Sequence, residues 1–190
     1  MPLAKNKTRC PWVSDNPLYI KYHDEEWGVP VYKDNKIFEF LVLESAQAGL
    51  SWLTILKKRE NYKKAFAGFD PVKVAKFNAK DFKRLMADAG IVRNKLKILA
   101  AINNAQKFLE VKKEFGTFSK YMWGFVGGKV VNHKIKTLKD YPVKIKEAEL
   151  WAKDLKRRGF RFLGATICYA HMQAVGMVND HAVNCFKYEK

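Results

Sequence analysis

The amino-acid sequence predicts an all-α fold built as one domain. Apolar residues recur at helical spacing along most of the chain, and the alternation of apolar and polar residues that marks strands is not found over any long stretch. A length of 190 residues, 48% of them hydrophobic, suits one domain with a sizeable core. Capping residues and glycines punctuate the helical pattern, so the elements can be assigned in chain order.

The first three predicted helices follow one another closely. Asp34 is placed to cap a helix that runs to about Gly49, and Ser51 opens a second helix that ends in a run of basic residues. The Asp–Pro pair at 70–71 is typical of a cap followed by a proline in the first turn, which predicts a short third helix.

Two further helices flank a predicted tight turn. Asn78 or Lys80 opens the fourth helix, Gly90 is expected to end it, and Asn94 starts a long amphipathic helix. The later part of the chain shows helical spacing at 118–125 and 144–158, with short strands left open at 129–131 and 160–163.

Positive charge is the strongest bulk property of the chain. Lys and Arg number 36 against 19 for Asp and Glu, a net charge of +17. Such an excess favours a polyanionic partner, and we expect nucleic acid rather than an anionic membrane. A general bias towards lysine is the alternative explanation.

The sequence predicts a cytoplasmic protein. It lacks a run of about 18 uncharged apolar residues that would span a bilayer. The polar amino-terminal residues do not resemble a signal peptide. We expect residues 1–8 to form a flexible basic tail and residues 9–190 to form the single domain.

Two pairs of metal-binding residues stand near opposite ends of the chain. His181 and Cys185 are four residues apart, which on a helix places both side chains on one face. Cys10 and His23 would complete a Cys₂His₂ set, the tetrahedral arrangement that zinc prefers. With all four ligands from protein the metal would be structural. Accidental spacing remains open, since motif matches carry false positives.

The remaining cysteine and histidines belong to no such set. Cys168 lies in an apolar stretch and is predicted to be a small core residue. His133 and His171 are predicted to be surface residues or hydrogen-bonded core residues.

Glu44 is the only charged residue in the segment 40–56. Burying an unpaired carboxylate is costly, so this group should be paired, protonated or functional. With Gln47 three residues later and Trp52 close behind, it would form the polar floor of an aromatic pocket. A position facing solvent, or a surface ion pair with a lysine, is the alternative.

Aromatic residues are concentrated near the amino terminus. Their usual role is core packing, but in a basic protein they can also stack on a nucleobase, and a cationic base would gain further from the ring quadrupole. The aromatic residues up to position 52 include Trp12, Tyr19, Tyr22, Trp27, Tyr32, Phe38, Phe40 and Trp52.

The segment 85–95 is predicted to be a helix, a tight turn and a second helix. Gly90 can take a positive φ, and the amides that open the second helix can bind a phosphate oxygen. Arg93 and Lys95 add positive charge there. An ordinary helical hairpin would show the same pattern.

Taken together, the sequence resembles the bacterial 3-methyladenine DNA glycosylase I family over about residues 9–186. The segments that carry the resemblance are RCPWV (9–13), DNPLYI (15–20), YHDEEWGVP (22–30), LE (43–44), QAGLSW (47–52), KKRENY (57–62), FDPV (69–72), AGIVR (89–93), KRRGF (156–160), TICY (166–169) and VNDH (178–181).

The resemblance implies a helix-hairpin-helix glycosylase fold with one structural zinc ion that joins the two termini. It assigns Glu44 as the acid that contacts the base. The zinc ligands that it implies are Cys10, His23, His181 and Cys185. The aromatic pocket that it implies comprises Trp12, Tyr22 and Trp52, with Tyr19 and Trp27 as neighbours. The hairpin residues expected to contact DNA are Gly90, Ile91, Arg93 and Lys95.

The chain departs from the wider superfamily at two points. The hairpin triplet is Ala89-Gly90-Ile91, where many members carry glycine at both ends. The catalytic aspartate of many relatives has no assigned counterpart, although Asp140 and Asp154 lie in suitable positions along the chain.

The implied activity is excision of 3-methyladenine from alkylated duplex DNA. The damaged nucleotide would be flipped into the pocket and its N-glycosidic bond hydrolysed without strand cleavage, by a monomer that releases 3-methyladenine. Two other classes remain open, a non-catalytic zinc-stapled nucleic-acid-binding module and a zinc hydrolase with a vacant coordination position. Whether 3-methylguanine is excised, and whether Leu50 fills the gap left by the flipped base, are also open.

Overall fold

The computed structural model describes residues 7–188, within which nine α-helices enclose a continuous hydrophobic core. Most of the predicted basic tail, residues 1–6, lies outside the described residues. The helices are α1 (Pro17–Glu25), α2 (Asp34–Gln47), α3 (Trp52–Ala65), α4 (Pro71–Val74), α5 (Ala79–Ala87), α6 (Lys95–Phe115), α7 (Phe118–Trp123), α8 (Lys146–Arg157) and α9 (Ala165–Ala174). Three short 3₁₀ turns lie at Ala67–Phe69, Gly124–Val126 and Leu138–Asp140.

Local capping signals located most helix starts correctly. Ser51 caps α3 by accepting a hydrogen bond from the Thr54 amide, and Asp70 caps α4 ahead of its first-turn proline. Asn78 opens α5 with a capping box, and Asn94 caps α6. These predictions are confirmed. Each cap was predictable because it bonds to amides within three residues of itself.

The predicted cap at Asp34 is wrong. Lys33 occupies the N-cap position of α2, and Asp34 is the first helical residue. Its carboxylate instead accepts a hydrogen bond from the Ser119 amide at 3.1 Å and pairs with Lys112. Asp34 therefore ties α2 to α6 and α7, which are distant in sequence.

Gly90 neither ends α5 nor adopts a positive φ. The helix ends at Ala87 with Asp88 as its C-cap. What the position requires is space, because a Cβ there would lie 2.9 Å from the Asp88 Oδ1 and 3.0 Å from the Asn61 side chain.

A short parallel ladder joins two distant parts of the chain. Strand β1 (Val131–Asn132) pairs with β2 (Val178–Asn179), so one of the two segments left open as strands forms one. The segment 160–163 contains no strand. Because β2 immediately precedes Asp180 and His181, this ladder fixes where the carboxyl-terminal segment lies.

Helix α2 is the centre of the fold. It packs against α3, α6, α7 and α9, and Ile37, Phe38 and Leu43 are fully buried. Its last turns carry Glu44 and Gln47 to a cavity between α1, α3 and α9. None of the described helices combines the length and apolar character needed to cross a bilayer.

Candidate active site and metal centre

A cavity of about 410 Å³ opens between the first three helices, α9 and the segment 138–143. All five aromatic side chains predicted for a base pocket line this cavity, together with Glu44 and Gln47. The lining residues are Trp12, Tyr19, Tyr22, Trp27, Glu44, Gln47, Trp52, Leu138, Tyr141, Pro142, Val143, Thr166, Tyr169, Ala170 and Gln173.

The aromatic rings form a cage made of two packed groups. Trp12 meets Tyr19 edge-on with 5.5 Å between ring centroids and meets Trp27 at 4.8 Å. In the second group, the ring centroids of Tyr22 and Trp52 lie 5.3 Å apart. Such packing fixes the ring orientations and leaves flat walls suited to a planar guest.

Glu44 is buried in this cage without a charged partner. Its side chain is 3% exposed, and its Oε2 has no hydrogen-bond partner among the described residues. The alternative of a solvent-facing carboxylate is therefore wrong. Burial raises the pKa of Glu44 to about 8, so the acid is largely protonated at neutral pH while the cavity is empty.

The neighbouring phenols are held neutral by the same environment. Burial, reinforced by the proximity of Glu44, raises the pKa of both Tyr19 and Tyr22. The cavity therefore presents hydroxyl donors and a protonatable acid rather than several fixed charges.

The two predicted metal-binding pairs meet in space. One ligand atom from each of the four residues Cys10, His23, His181 and Cys185 lies within 4.8 Å of the others, and all four residues are buried. The Cys10 Sγ is 3.5 Å from the His181 Nδ1, and the Cys185 Sγ is 3.5 Å from the His23 Nε2. Two such atoms bound to one tetrahedral zinc ion lie roughly 3.6 Å apart, so the donor set fits that ion.

Hydrogen bonds orient both imidazoles from behind. The His23 Nδ1 contacts the Asp24 carboxylate at 2.8 Å, and Arg9 holds that carboxylate through its guanidinium. The His181 Nε2 contacts the Trp27 carbonyl at 3.1 Å. Partners of this kind fix the tautomer and leave the other ring nitrogen free to bind a metal.

The charge state of the thiols also favours a cation. Hydrogen bonding with the Cys10 thiol, partly offset by burial, lowers the pKa of Cys185, and His181 and His23 lower it further. The same contact raises the pKa of Cys10. The pair therefore holds a thiolate, the form of cysteine that ligates metals.

Gly28 closes tightly over this cluster. Its φ is +78°, and a Cβ added there would lie 2.7 Å from the His181 Nε2. A side chain at this position would displace a ligand, so glycine is required both for conformation and for space.

One wall of the cavity was missed by sequence reasoning. Thr166, Tyr169, Ala170 and Gln173 line it from α9. Their spacing places them on one helical face, which is a signal the sequence does carry.

Asp180 organises this wall from behind. It is 1% exposed, and its carboxylate accepts hydrogen bonds from Tyr169 and, at 2.8 Å, from Gln173. His133 contacts the same carboxylate at 2.6 Å and is therefore a half-buried, hydrogen-bonded residue. His171 is fully buried, but neither of its nitrogens has a partner among the described residues, so the expected hydrogen bonds are not formed.

Two backbone amides of the hairpin between α5 and α6 form hydrogen bonds within the hairpin. The Gly90 amide donates to the Asp88 carboxylate at 2.7 Å, and the Ile91 amide donates to the Asp88 carbonyl at 3.4 Å. The Asn94 side chain caps the first amides of α6. The Leu96 and Lys97 amides at the start of this helix are therefore already engaged.

The hairpin keeps its exposed cations. The side chains of Arg93 and Lys95 are both exposed to solvent. The two cations predicted to contact DNA are thus accessible from solvent.

Neither aspartate considered by position lies in the cavity lining. Asp140 accepts hydrogen bonds from the amides of Lys136 and Thr137, and Asp154 pairs with Arg157 and Arg158. Both carboxylates are thus engaged elsewhere in the structure.

Comparison with known proteins gives consistent matches. The DNA-3-methyladenine glycosylase 1 of Escherichia coli strain K12 is 49% identical over 180 residues, which cover 95% of this chain and 96% of that protein. A crystal structure of a 3-methyladenine DNA glycosylase I aligns with a TM-score of 0.93 at 46% identity, covering 96% of this chain and all of that one.

A third match concerns ligand recognition. A structure from Staphylococcus aureus, described as showing how 3-methyladenine DNA glycosylase I recognises 3-methyladenine, aligns with a TM-score of 0.92 at 40% identity, covering 96% of this chain and 97% of that one. The family model for methyladenine glycosylase matches residues 12–188. The chain belongs to the methyladenine glycosylase family.

Proposed function

We propose that this chain excises 3-methyladenine from alkylated duplex DNA by hydrolysing the N-glycosidic bond, and that it does not cut the strand. The observation that carries the proposal is Glu44, a buried acid with no charged partner inside an aromatic cavity. The names of the similar proteins support the same substrate.

The cavity suits a cationic purine. A nucleotide methylated at N3 of adenine carries a positive charge, and the faces of Trp12, Tyr22 and Trp52 would attract it through their quadrupoles as well as by stacking. The cavity volume of about 410 Å³ is ample for one base extruded from the duplex.

Glu44 would provide the discrimination against normal adenine. In the empty cavity burial keeps the acid largely protonated, whereas a bound cation favours the carboxylate, which then accepts hydrogen bonds from the base. Neutral adenine offers no such gain, so only the charged nucleotide stabilises the ionised form.

The reaction needs little acid–base assistance. A cationic base is already a good leaving group, and stabilisation of the transition state by the pocket can supply the acceleration. Water would attack the sugar carbon from the side opposite the base. No lysine lies among the described residues that line the cavity, which supports hydrolysis without a Schiff base.

The metal would serve structure rather than chemistry. When bound, zinc supplies a fixed tetrahedral link between Cys10, His23, His181 and Cys185, with no coordination position left for water. This closed donor set argues against a zinc hydrolase. Trp12 follows Cys10 by two residues and Tyr22 precedes His23, so the link would hold two walls of the cavity.

The hairpin of α5 and α6 would bind the DNA backbone, as in a helix-hairpin-helix protein, through Arg93 and Lys95. Cavity, hairpin and metal cluster all lie within one chain, which supports activity as a monomer. None of the three cysteines, all among the described residues, forms a disulfide, which fits the reducing cytoplasm.

The test is release of free base from methylated duplex DNA, measured by chromatography. We expect 3-methyladenine to be released, and Glu44→Gln to reduce the rate by about 100-fold or more while duplex binding persists. Glu110→Gln is the matched control, because Glu110 is exposed on α6. Duplex binding by the wild-type protein without base release would instead support the non-catalytic nucleic-acid-binding module.

A further inference from the structure

A basic segment with an apolar tip forms one rim of the cavity. Residues 134–146, here called the rim segment, contain five lysines and one aspartate. Leu138, Tyr141, Pro142 and Val143 from this segment line the cavity. The function proposed above does not use it.

The rim segment is anchored at its base. Ile135 is 1% exposed, and its carbonyl accepts a hydrogen bond from the Val183 amide at 2.8 Å. The Asp140 carboxylate accepts hydrogen bonds from the amides of Lys136 and Thr137. The segment therefore has a defined shape, and its one acidic side chain is engaged internally.

The tip of the segment exposes apolar side chains beside the cavity. Val143 is 75% exposed and Leu138 is 57% exposed. Contiguous apolar exposure at the mouth of a cavity marks a surface that meets a partner.

Exposed lysines flank this tip. Lys136, Lys139 and Lys146 are exposed and form no ion pair among the described residues, whereas Lys144 pairs with Glu149. Unpaired lysines around an apolar tip complement a polyanion better than they complement a typical protein surface.

We propose that the rim segment is a second DNA-binding surface: its lysines contact backbone phosphates, and Leu138 and Val143 pack against the sugars and base edges next to the flipped nucleotide. The proposal rests on the proposed function. A nucleotide in the cavity stays covalently joined to its neighbours, so these neighbours must pass the rim. Phosphate contacts position a duplex, and apolar side chains support bases that have lost a stacking neighbour.

The rim segment and the hairpin are held by different parts of the fold. The hairpin is attached to α3 through Lys58 and to the end of α2 through Lys97. Residues of the rim segment line the cavity together with residues of α9. The two surfaces would therefore contact the DNA at separate places.

The apolar tip is tested with the double variant Leu138→Ser/Val143→Ser. We expect excision from methylated duplex to fall by about tenfold. Binding of free 3-methyladenine, followed by tryptophan fluorescence, should fall by less than excision does, because both side chains are exposed at the rim. Val72→Ser is the matched control, since Val72 is 49% exposed on α4 and does not line the cavity.

The lysines are tested by the salt dependence of duplex binding. Lys136→Ala/Lys139→Ala should make the slope of log affinity against log salt shallower by about 1.8. The control is Lys113→Ala/Lys120→Ala, which also removes two exposed lysines. Their chain neighbours Lys112 and Ser119 contact Asp34 in the first turn of α2.

The outcomes separate this inference from the proposed function. Wild-type excision rates and salt slopes in both rim variants would overturn the inference alone. An equal fall in free-base binding and in excision by the serine variant would also overturn it, because the defect would then be damage to the pocket. If the wild-type protein releases no 3-methyladenine, the proposed function fails, and the salt series still tests the lysines independently.

Discussion

Glu44 would couple substrate choice to pH under the proposed function. Its acid is neutral at pH 7 in the empty cavity because burial raises its pKa to about 8. Binding a cation would release the proton. We therefore expect affinity for the cationic nucleotide to rise with pH up to about 8, and affinity for the neutral free base to change little.

The same residue should make the protein less stable at alkaline pH. The pKa of Glu44 in the folded state lies above its ordinary value of 4.5, so the folded chain holds the proton more tightly between those values. The free energy of unfolding therefore falls as pH rises from about 4.5 to about 8, by roughly 3 to 5 kcal/mol. Glu44→Gln should lack this fall. Urea unfolding at pH 5 and pH 9 measures it, and equal pH dependence in both proteins would contradict the burial argument.

His171 should act in the opposite direction at acid pH. It is fully buried near Trp151 and Phe40, and burial lowers its pKa from 6.5 to about 3. The unfolded chain binds this proton more readily, so stability falls by roughly 4 kcal/mol as pH drops through that range. His171→Leu should remove this loss of stability at acid pH. Thermal unfolding at pH 4 and pH 7 tests it, and a difference that persists unchanged in the variant would refute it.

At the scale of elements, Lys97 links the hairpin to the floor of the cavity. From the first turn of α6 its ammonium donates to the Ala46 carbonyl at 2.9 Å and to the Ala48 carbonyl at 2.6 Å. These carbonyls end α2, one turn beyond Glu44. Partial burial lowers the pKa of Lys97.

Lys97→Met should loosen this junction. We expect a loss of about 1 to 3 kcal/mol in the free energy of unfolding, because two partly buried carbonyl groups lose a charged donor. The rate of excision from methylated duplex DNA should also fall in this variant. Lys107→Met on the same helix is the control, since Lys107 contacts only the exposed Glu110 through its ammonium. Equal stability of the two variants would show that the link is unimportant.

Helix starts were predictable where the signal is local. The Asp70, Asn78 and Asn94 caps each bond to amides within three residues, so short-range sequence determines them. Asp34 and Gly90 were misassigned because their roles depend on distant partners, Ser119 for one and Asn61 for the other. Single-sequence patterns do not reveal such contacts.

At the scale of the whole molecule, a metal ion bound by the four Cys and His residues would close a very long loop. Cys10 and His181 are 171 residues apart in sequence. Linking such distant positions removes much of the freedom of the unfolded chain, worth about 5 kcal/mol in the chain-entropy model.

Cys185→Ala should abolish metal binding and lower the melting temperature markedly. Cys168→Ala is the control, because it also removes a buried thiol but leaves the cluster intact. Metal content by atomic emission and melting by circular dichroism are the measurements. If the purified wild-type protein carries no zinc, the assignment of the ion is wrong.

The sequence revealed one half of the cavity better than the other. The aromatic residues from Trp12 to Trp52 lie close together in the chain, so their proximity in sequence was enough to group them. The opposite wall comes from α9 and the segment 138–143, which join the first half only through tertiary packing. The Asp180 carboxylate behind that wall gave no separate signal, because it stands directly beside a metal ligand in the sequence.

The order in which a ribosome delivers these residues has a consequence for the newly made chain. Cys10 and His23 emerge early, but 162 residues separate His23 from Cys185. At ordinary elongation rates that interval lasts roughly 8 to 32 seconds. During this time the nascent chain contains only two of the four predicted metal ligands, Cys10 and His23. The complete set of four residues would therefore bind a metal ion only when synthesis of the chain is nearly finished.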